Sequence, residues 1–163
     1  MAWCAFLDPD QTLFGPAVEA CGVCLPRLLV FRPPRHLLAR VAVRVAMSGI
    51  FSVIAVDVAG VPGSASSKTS RRAESMQSWA KATRRLALAV EKTHSTVFLL
   101  TETEAARTSA LPASMRLELE NENPESMLVR IAKEKFGRVS NSRRIVWTRP
   151  SSREADEKLR ASG

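Results

Sequence analysis

The chain has 163 residues, of which 45% are apolar, and this length supports one folded domain with its own core rather than two. Its formal net charge is +8, and the surplus lies in residues 61–96, with seven Lys/Arg against two Asp/Glu, and in residues 143–163, with six against three. Charges interrupt every long apolar stretch and only three cysteines occur, so we exclude a membrane-spanning protein and expect a cytoplasmic one.

The first half of the chain alternates strand-like apolar runs with helix signals. Unbroken apolar runs are typical of parallel strands that are buried on both faces. Prolines 33 and 34 favour a helix start, and glycines 22 and 49 favour helix ends. We therefore predict strands over residues 4–8, 27–31 and 50–57, a short helix over residues 15–19, and a longer helix between residues 34 and 48.

The second half begins with a Gly-, Ser- and Pro-rich stretch, residues 60–70, which predicts a mobile loop. The patterns that follow predict a helix over residues 71–92, a buried strand over 96–100, two alternating strands over 115–120 and 127–133, and a strand-like piece over 144–148. Strict alternation of apolar and polar residues indicates a half-exposed antiparallel hairpin.

These elements predict an α/β fold with three layers, αβα. We expect a mainly parallel sheet with the antiparallel hairpin at one edge, all within residues 1–142. Residues 143–163 are expected to form a basic, flexible C-terminal tail, because they are polar and rich in charge.

Three aspartates mark the carboxyl ends of the predicted strands. Asp8 closes the first strand, Asp10 lies in the turn after it, and Asp57 closes the third strand. In open α/β sheets ligands bind beyond the carboxyl ends of the strands, so these carboxylates are the first candidates for a site. The order of the predicted strands, helices and strand-end aspartates over residues 3–138 resembles the core of the RecA recombinase family. The resemblance begins at the second strand of that core.

The resemblance assigns roles to several residues. It implies that Asp57 occupies the magnesium-associated Walker B position, and that Asp10 occupies the position of the glutamate that orients the attacking water. Within residues 132–136, it implies that Lys133 and Lys135 correspond to lysines that reach a nucleotide held by the neighbouring subunit.

Within this superfamily, residues 6–16 and 28–34 resemble the ImuA-type accessory proteins of inducible mutagenesis. That resemblance implies a non-catalytic scaffold of the DNA damage (SOS) response, acting in error-prone translesion synthesis. The implied partners are a RecA-type recombinase, an ImuB-type polymerase-like protein and a specialised DNA polymerase. Single-stranded DNA and a second copy of the chain are further expected partners.

The chain departs from the family pattern where the nucleotide would be held. No Gly-x-x-x-x-Gly-Lys-Ser/Thr motif precedes Cys4, so the N–H groups and the lysine that hold the β and γ phosphates are missing. Residues 62–69 follow a strand and precede a helix, but a proline and a serine replace the two glycines of a phosphate loop. We therefore expect a non-enzyme without a cofactor, and either a shortened core or a fragment. The residues left to contact a nucleotide are Asp8, Asp57, Lys133 and Lys135.

Two further patterns have a structural and a functional interpretation. Cys21 and Cys24 have the spacing of a metal or redox pair, but no second ligand pair accompanies them, so we expect buried thiols and no metal. The strand-end aspartates either bind magnesium or, as relics, accept hydrogen bonds from nearby N–H groups.

The basic surplus contains the residues that are best suited to touch a protein partner or DNA. These residues are Lys81, Arg84, Arg85, Lys92, Arg143, Arg144, Trp147, Arg149 and Arg153. A solvated surface without a partner is the alternative interpretation of the same charges. Three other functions stay open beside the scaffold: a single-stranded DNA-binding module, a residual or subunit-shared ATPase, and a cell-division inhibitor of the DNA damage response.

Overall fold

The structure, a computed structural model, describes residues 2–59, 72–102, 111–123 and 125–146, with the backbone alone for residues 72–78. It is a mixed α/β fold whose described residues form two compact units. One unit contains the chain up to Thr12 and Pro26–Ala113, and the other contains Leu13–Leu25 and the chain from Ser114 onward. The stretch predicted to be a mobile loop, residues 60–70, lies outside the described residues.

The first unit is built on a four-stranded parallel sheet with the order β2-β1-β3-β4. Its strands are β1 (Trp3–Leu7), β2 (Leu28–Phe31), β3 (Phe51–Asp57) and β4 (Thr96–Leu100). All four lie where the apolar runs of the sequence predicted them, and their parallel pairing is confirmed. The two strands that end in aspartate, β1 and β3, are neighbours in the middle of the sheet.

Two helices, α2 (Leu38–Met47) and α3 (Arg72–Glu91), pack against each other over one face of this sheet. Gly49, at φ 68°, follows α2 in the left-handed conformation that ends a helix, as the sequence predicted. The largest fully buried apolar side chains of the resulting core are Leu7, Leu38, Ile54, Val56 and Val58. Among the described residues, no helix has both the length and the apolar character needed to cross a bilayer.

Two details of the predicted core are wrong. The helix predicted between residues 34 and 48 begins later, because Arg35–Leu37 form a 3-10 turn before α2, and the Leu37 side chain is exposed. β4 was predicted to be buried, but Phe98 is 47% exposed. Side chains alternate along β4, and Phe98 lies on the sheet face away from the helices, which no described element covers.

The second unit contains a short helix, α1 (Gly15–Ala20), and a separate three-stranded antiparallel sheet. The strands of this sheet are β5 (Met115–Asn123), β6 (Ser126–Glu134) and β7 (Arg143–Val146). The antiparallel hairpin is confirmed, but its predicted place at an edge of the parallel sheet is wrong. β6 lies between β5 and β7, which come from the same region of the chain, so the hairpin completes a sheet of its own.

The tail was predicted to begin at Arg143, where the structure begins β7. Residues 143–146 pair with β6, from Ser126↔Val146 to Val129↔Arg143. Residues 147–163 lie outside the described residues.

Candidate functional site

Asp8 and Asp57 stand side by side at the carboxyl edge of the parallel sheet. Leu7 of β1 pairs with Val56 of β3, so the residue that follows each of them lies at the same height on neighbouring strands. Because side chains alternate along a strand, Asp57 points to the sheet face opposite the one that Val56 presents to the core, whereas Asp8 directly follows the last residue of β1. The topology thus brings together the two strand-end carboxylates that the sequence singled out.

The Asp8 carboxylate holds the turn that follows β1. Asp8 is fully buried, with 0% of its surface exposed. Its Oδ1 accepts one hydrogen bond from the Thr12 backbone N–H at 2.9 Å and another from the Thr12 hydroxyl at 3.2 Å, while its own N–H donates to the Phe31 carbonyl at 2.8 Å. A buried carboxylate requires such donors, since desolvation without them is costly.

Gln11, within the same turn, has a left-handed backbone with φ 58°. For a residue with a Cβ atom this conformation costs about 1–2 kcal/mol. The hydrogen bonds from Thr12 to Asp8 close the turn directly after Gln11 and compensate for this strain. Sequence reasoning missed it, because glutamine carries no preference for a left-handed backbone.

Asp10 forms an ion pair with Arg35, whose Nε lies 2.6 Å from the Asp10 Oδ1. Arg35 belongs to the 3-10 turn that precedes α2, so this pair ties the β1 turn to the start of that helix. The two side chains are partly exposed, and a charge-assisted hydrogen bond at this distance is short and well directed. No sequence signal could have found it, since 25 residues separate the partners.

Asp57 binds to its own turn. Its Oδ1 accepts a hydrogen bond from the Ala59 N–H at 3.0 Å, the arrangement of an Asx turn. Each of the three strand-end aspartates therefore accepts a hydrogen bond from a donor of this chain. Among the described residues, no three His, Cys, Asp or Glu side chains group closely enough to hold a metal ion.

Lys133 and Lys135 belong to the second unit. Lys133 lies on β6 opposite Arg116, and its side chain is exposed. Lys135 lies in the turn after β6, where its N–H donates to the Ser114 carbonyl at 2.8 Å. A nucleotide-contacting role for either lysine stays a prediction.

The predicted partner-binding residues fall into three groups. Lys81, Arg84, Arg85 and Lys92 are exposed on α3 or directly after it. Arg143 and Arg144 are exposed on β7, and Arg144 forms an ion pair with Glu122. The remaining candidates, Trp147, Arg149 and Arg153, lie outside the described residues.

The cysteine prediction is wrong in part. Cys21 and Cys24 were expected to be buried thiols, but both are exposed and free, in the loop after α1. Gly22 ends α1 between them, and this loop carries the chain out of the helix without covering either side chain.

Comparison with known proteins adds no family. No protein-family model matches this chain, and no curated protein matches its sequence.

Proposed function

We propose that this chain is a non-catalytic RecA-like scaffold of the DNA damage response. In this proposal it works in the cytoplasm, where it brings a RecA-type recombinase together with an ImuB-type protein and a specialised polymerase during error-prone DNA synthesis. The observation that carries the proposal is the ion pair between Asp10 and Arg35. Where the resemblance places a water-orienting carboxylate, a guanidinium binds the carboxylate oxygen, so this group holds a turn instead of activating water.

The neighbouring positions of β1 and β3 support the RecA-like part of the proposal. A strand with a Walker B aspartate and a strand with a water-orienting carboxylate serve one site only if they end at the same edge. β1 and β3 meet this condition: Asp57 ends β3 at the height at which Asp8 follows β1, and Asp10, at the water-orienting position, lies in the turn directly after Asp8. Asp8 accepts a hydrogen bond from the Thr12 N–H and Asp57 accepts one from the Ala59 N–H. These bonds support the interpretation that the two carboxylates are relics that hold their own turns, and not magnesium ligands.

The proposal includes a three-layer core, with a second layer against the sheet face opposite α2 and α3. The composition of that face supports it: Phe6, Ala55 and Phe98 lie opposite one another across β1, β3 and β4, and Val53 lies two residues before Ala55 on the same face. These side chains are apolar, and Val53 and Phe98 are exposed. Parallel sheets are normally covered on both faces, so an apolar open face suits a covering layer.

The test is a capture experiment with the full chain as bait. Purified RecA-type recombinase, ImuB-type protein and specialised polymerase are offered one at a time, with and without nuclease. We expect at least one of them to be retained after nuclease treatment. If none of the three proteins is retained after nuclease treatment, their capture depends on nucleic acid. The chain would then be a nucleic-acid-binding protein, and the scaffold proposal would be wrong.

A truncated bait maps the surface involved. The truncation removes residues 147–163 and keeps β7, because a cut at Arg143 would also remove a strand from the second sheet. A parallel assay measures ATP hydrolysis by the full chain and by Asp57→Asn. We expect only background turnover from both; turnover that Asp57→Asn abolishes would establish the ATPase alternative.

A further inference from the structure

The outer sides of α2 and α3 form one surface. Both helices cover the same face of the parallel sheet, and their inner sides contribute to one core through residues such as Leu38 and Leu86. Side chains on the opposite side of each helix therefore face solvent in the same direction. The composition of this shared surface could not be read from either helix alone.

Six cations occupy this surface, which we call the basic helical face. They are Arg40, Arg44, Lys81, Arg84, Arg85 and Lys92, and all six side chains are exposed. Arg40 and Arg44 stand four residues apart on α2, about 6 Å along the helix axis. On α3 the cations recur at three- and four-residue spacing over the exposed stripe, which brings them to one side.

Within the part of the chain that the structure describes, the charges of the basic helical face are not neutralised. None of its six side chains forms an ion pair or a hydrogen bond with a residue that the structure describes. Glu91, near the end of α3, is the one carboxylate between Lys81 and Lys92. α2 itself carries no carboxylate. A surface with this balance keeps a positive potential and attracts polyanions.

The side-chain types favour phosphate over other anionic ligands. Four of the six cations are arginines, whose planar fork binds two phosphate oxygens at once. Aromatic side chains, on which unpaired bases would stack, do not occur on this surface in the described residues; Trp79 of α3 is buried. Contacts to backbone phosphates without base contacts position a nucleic acid but do not read its sequence.

We propose that the basic helical face binds the phosphate backbone of nucleic acid without sequence preference. Of the six cations of this face, the sequence analysis singled out Lys81, Arg84, Arg85 and Lys92; the structure adds Arg40 and Arg44 of α2 and joins both sets in one surface. This inference does not depend on the RecA-like scaffold, because it uses only exposure, charge and helix packing.

Fluorescence anisotropy tests the proposal with the full chain, a labelled DNA duplex and the corresponding single strand, over a range of salt concentrations. We expect both to bind, with log K falling linearly as log salt rises. In Arg40→Glu/Arg44→Glu, Kd should increase by about tenfold or more, and the duplex salt slope should become shallower by about two, one for each lost phosphate contact. Binding that this variant leaves unchanged would overturn the proposal.

A matched control changes the same charge elsewhere. Arg32→Glu/Arg138→Glu reverses two exposed arginines outside the basic helical face. We expect this control to raise Kd less than about threefold, with the wild-type salt slope nearly retained. Equal losses in the two variants would attribute binding to net charge alone and contradict a defined face.

Two further outcomes also decide the question. A strong preference for the single strand would indicate base stacking and would contradict the proposal. If neither DNA binds, an acidic protein would be the better candidate ligand of the basic helical face, and this result would also contradict the proposal. Arg40→Gln/Arg44→Gln repeats the test without charge reversal, and its circular dichroism spectrum checks that α2 is intact. Its loss of affinity should be smaller but of the same sign.

Discussion

In the first unit, side chains such as Leu7, Ile54 and Val56 are fully buried between the parallel sheet and its two helices, whereas in the second unit Ser126 is the one buried side chain among the described residues. Both sheets have well-marked patterns. On one face of β5 and β6, Leu117 and Leu119 lie opposite Ile131 and Val129, whereas the other face carries the charged pair Glu118↔Arg130 together with Leu128, which lies opposite Glu120. A regular amphipathic pattern therefore fixes strands and register but does not by itself create a core.

The difference in burial predicts a difference in how the two units respond to the same deletion. Leu7→Ala removes a fully buried side chain and leaves a cavity, so it should lower the free energy of unfolding by about 2–5 kcal/mol. Leu119→Ala removes the same atoms from a site that is 51% exposed, so the loss should stay below about 1 kcal/mol. Urea unfolding followed by circular dichroism measures both.

Equal losses in the two variants would break the comparison. They would mean that Leu119 is buried in solution, through association or through a covering segment. Sedimentation at several concentrations separates these two explanations, since only association depends on protein concentration.

A second prediction concerns the polar contacts of the first unit. Asp8→Ala removes a fully buried carboxylate together with both hydrogen bonds from Thr12, so it should lower the free energy of unfolding by about 1–3 kcal/mol. Thr12→Val keeps the Thr12 N–H bond and loses only the hydroxyl bond, so its effect should be the smaller of the two. Unchanged stability in Asp8→Ala would show that the carboxylate does not hold the turn.

The sequence predicted those features that depend on neighbours along the chain. Apolar runs located the four parallel strands, and prolines 33 and 34 with Gly49 limited the helix between β2 and β3 to within a few residues. Asp8 and Asp57 could be placed at one sheet edge, since parallel strands end at the same side.

Features that depend on residues far apart were out of reach. The Asp10–Arg35 pair joins positions 25 residues apart, and nothing in either segment specifies the other. The left-handed backbone of Gln11 is imposed by the closure of its turn and not by its side chain. Alternation on β5 and β6 correctly indicated a hairpin, but the choice between extending the parallel sheet and pairing with β7 was decided by which strand edges meet in the folded chain.

The smallest expected effect lies in the second unit, in the ion pair between Arg130 and Glu118. The two residues are directly opposite each other on β6 and β5, where cross-strand charge pairs contribute modestly. A double-mutant cycle with Arg130→Met and Glu118→Gln should give a coupling of about 0.2–1 kcal/mol, because the Arg130 side chain is 45% exposed, although that of Glu118 is only 11% exposed. Other contacts of Glu118 affect the single variants but cancel in the cycle.

Salt sharpens this last prediction. At 1 M salt the screening length is about 3 Å, so the Arg130–Glu118 pair, whose arginine side chain is 45% exposed, should lose part of its coupling. The hydrogen bonds to buried Asp8 should respond much less, because its carboxylate is removed from solvent. A coupling above about 2 kcal/mol that persists in salt would place the Arg130–Glu118 pair in a desolvated environment, and the second sheet would then be covered in solution on its charged face.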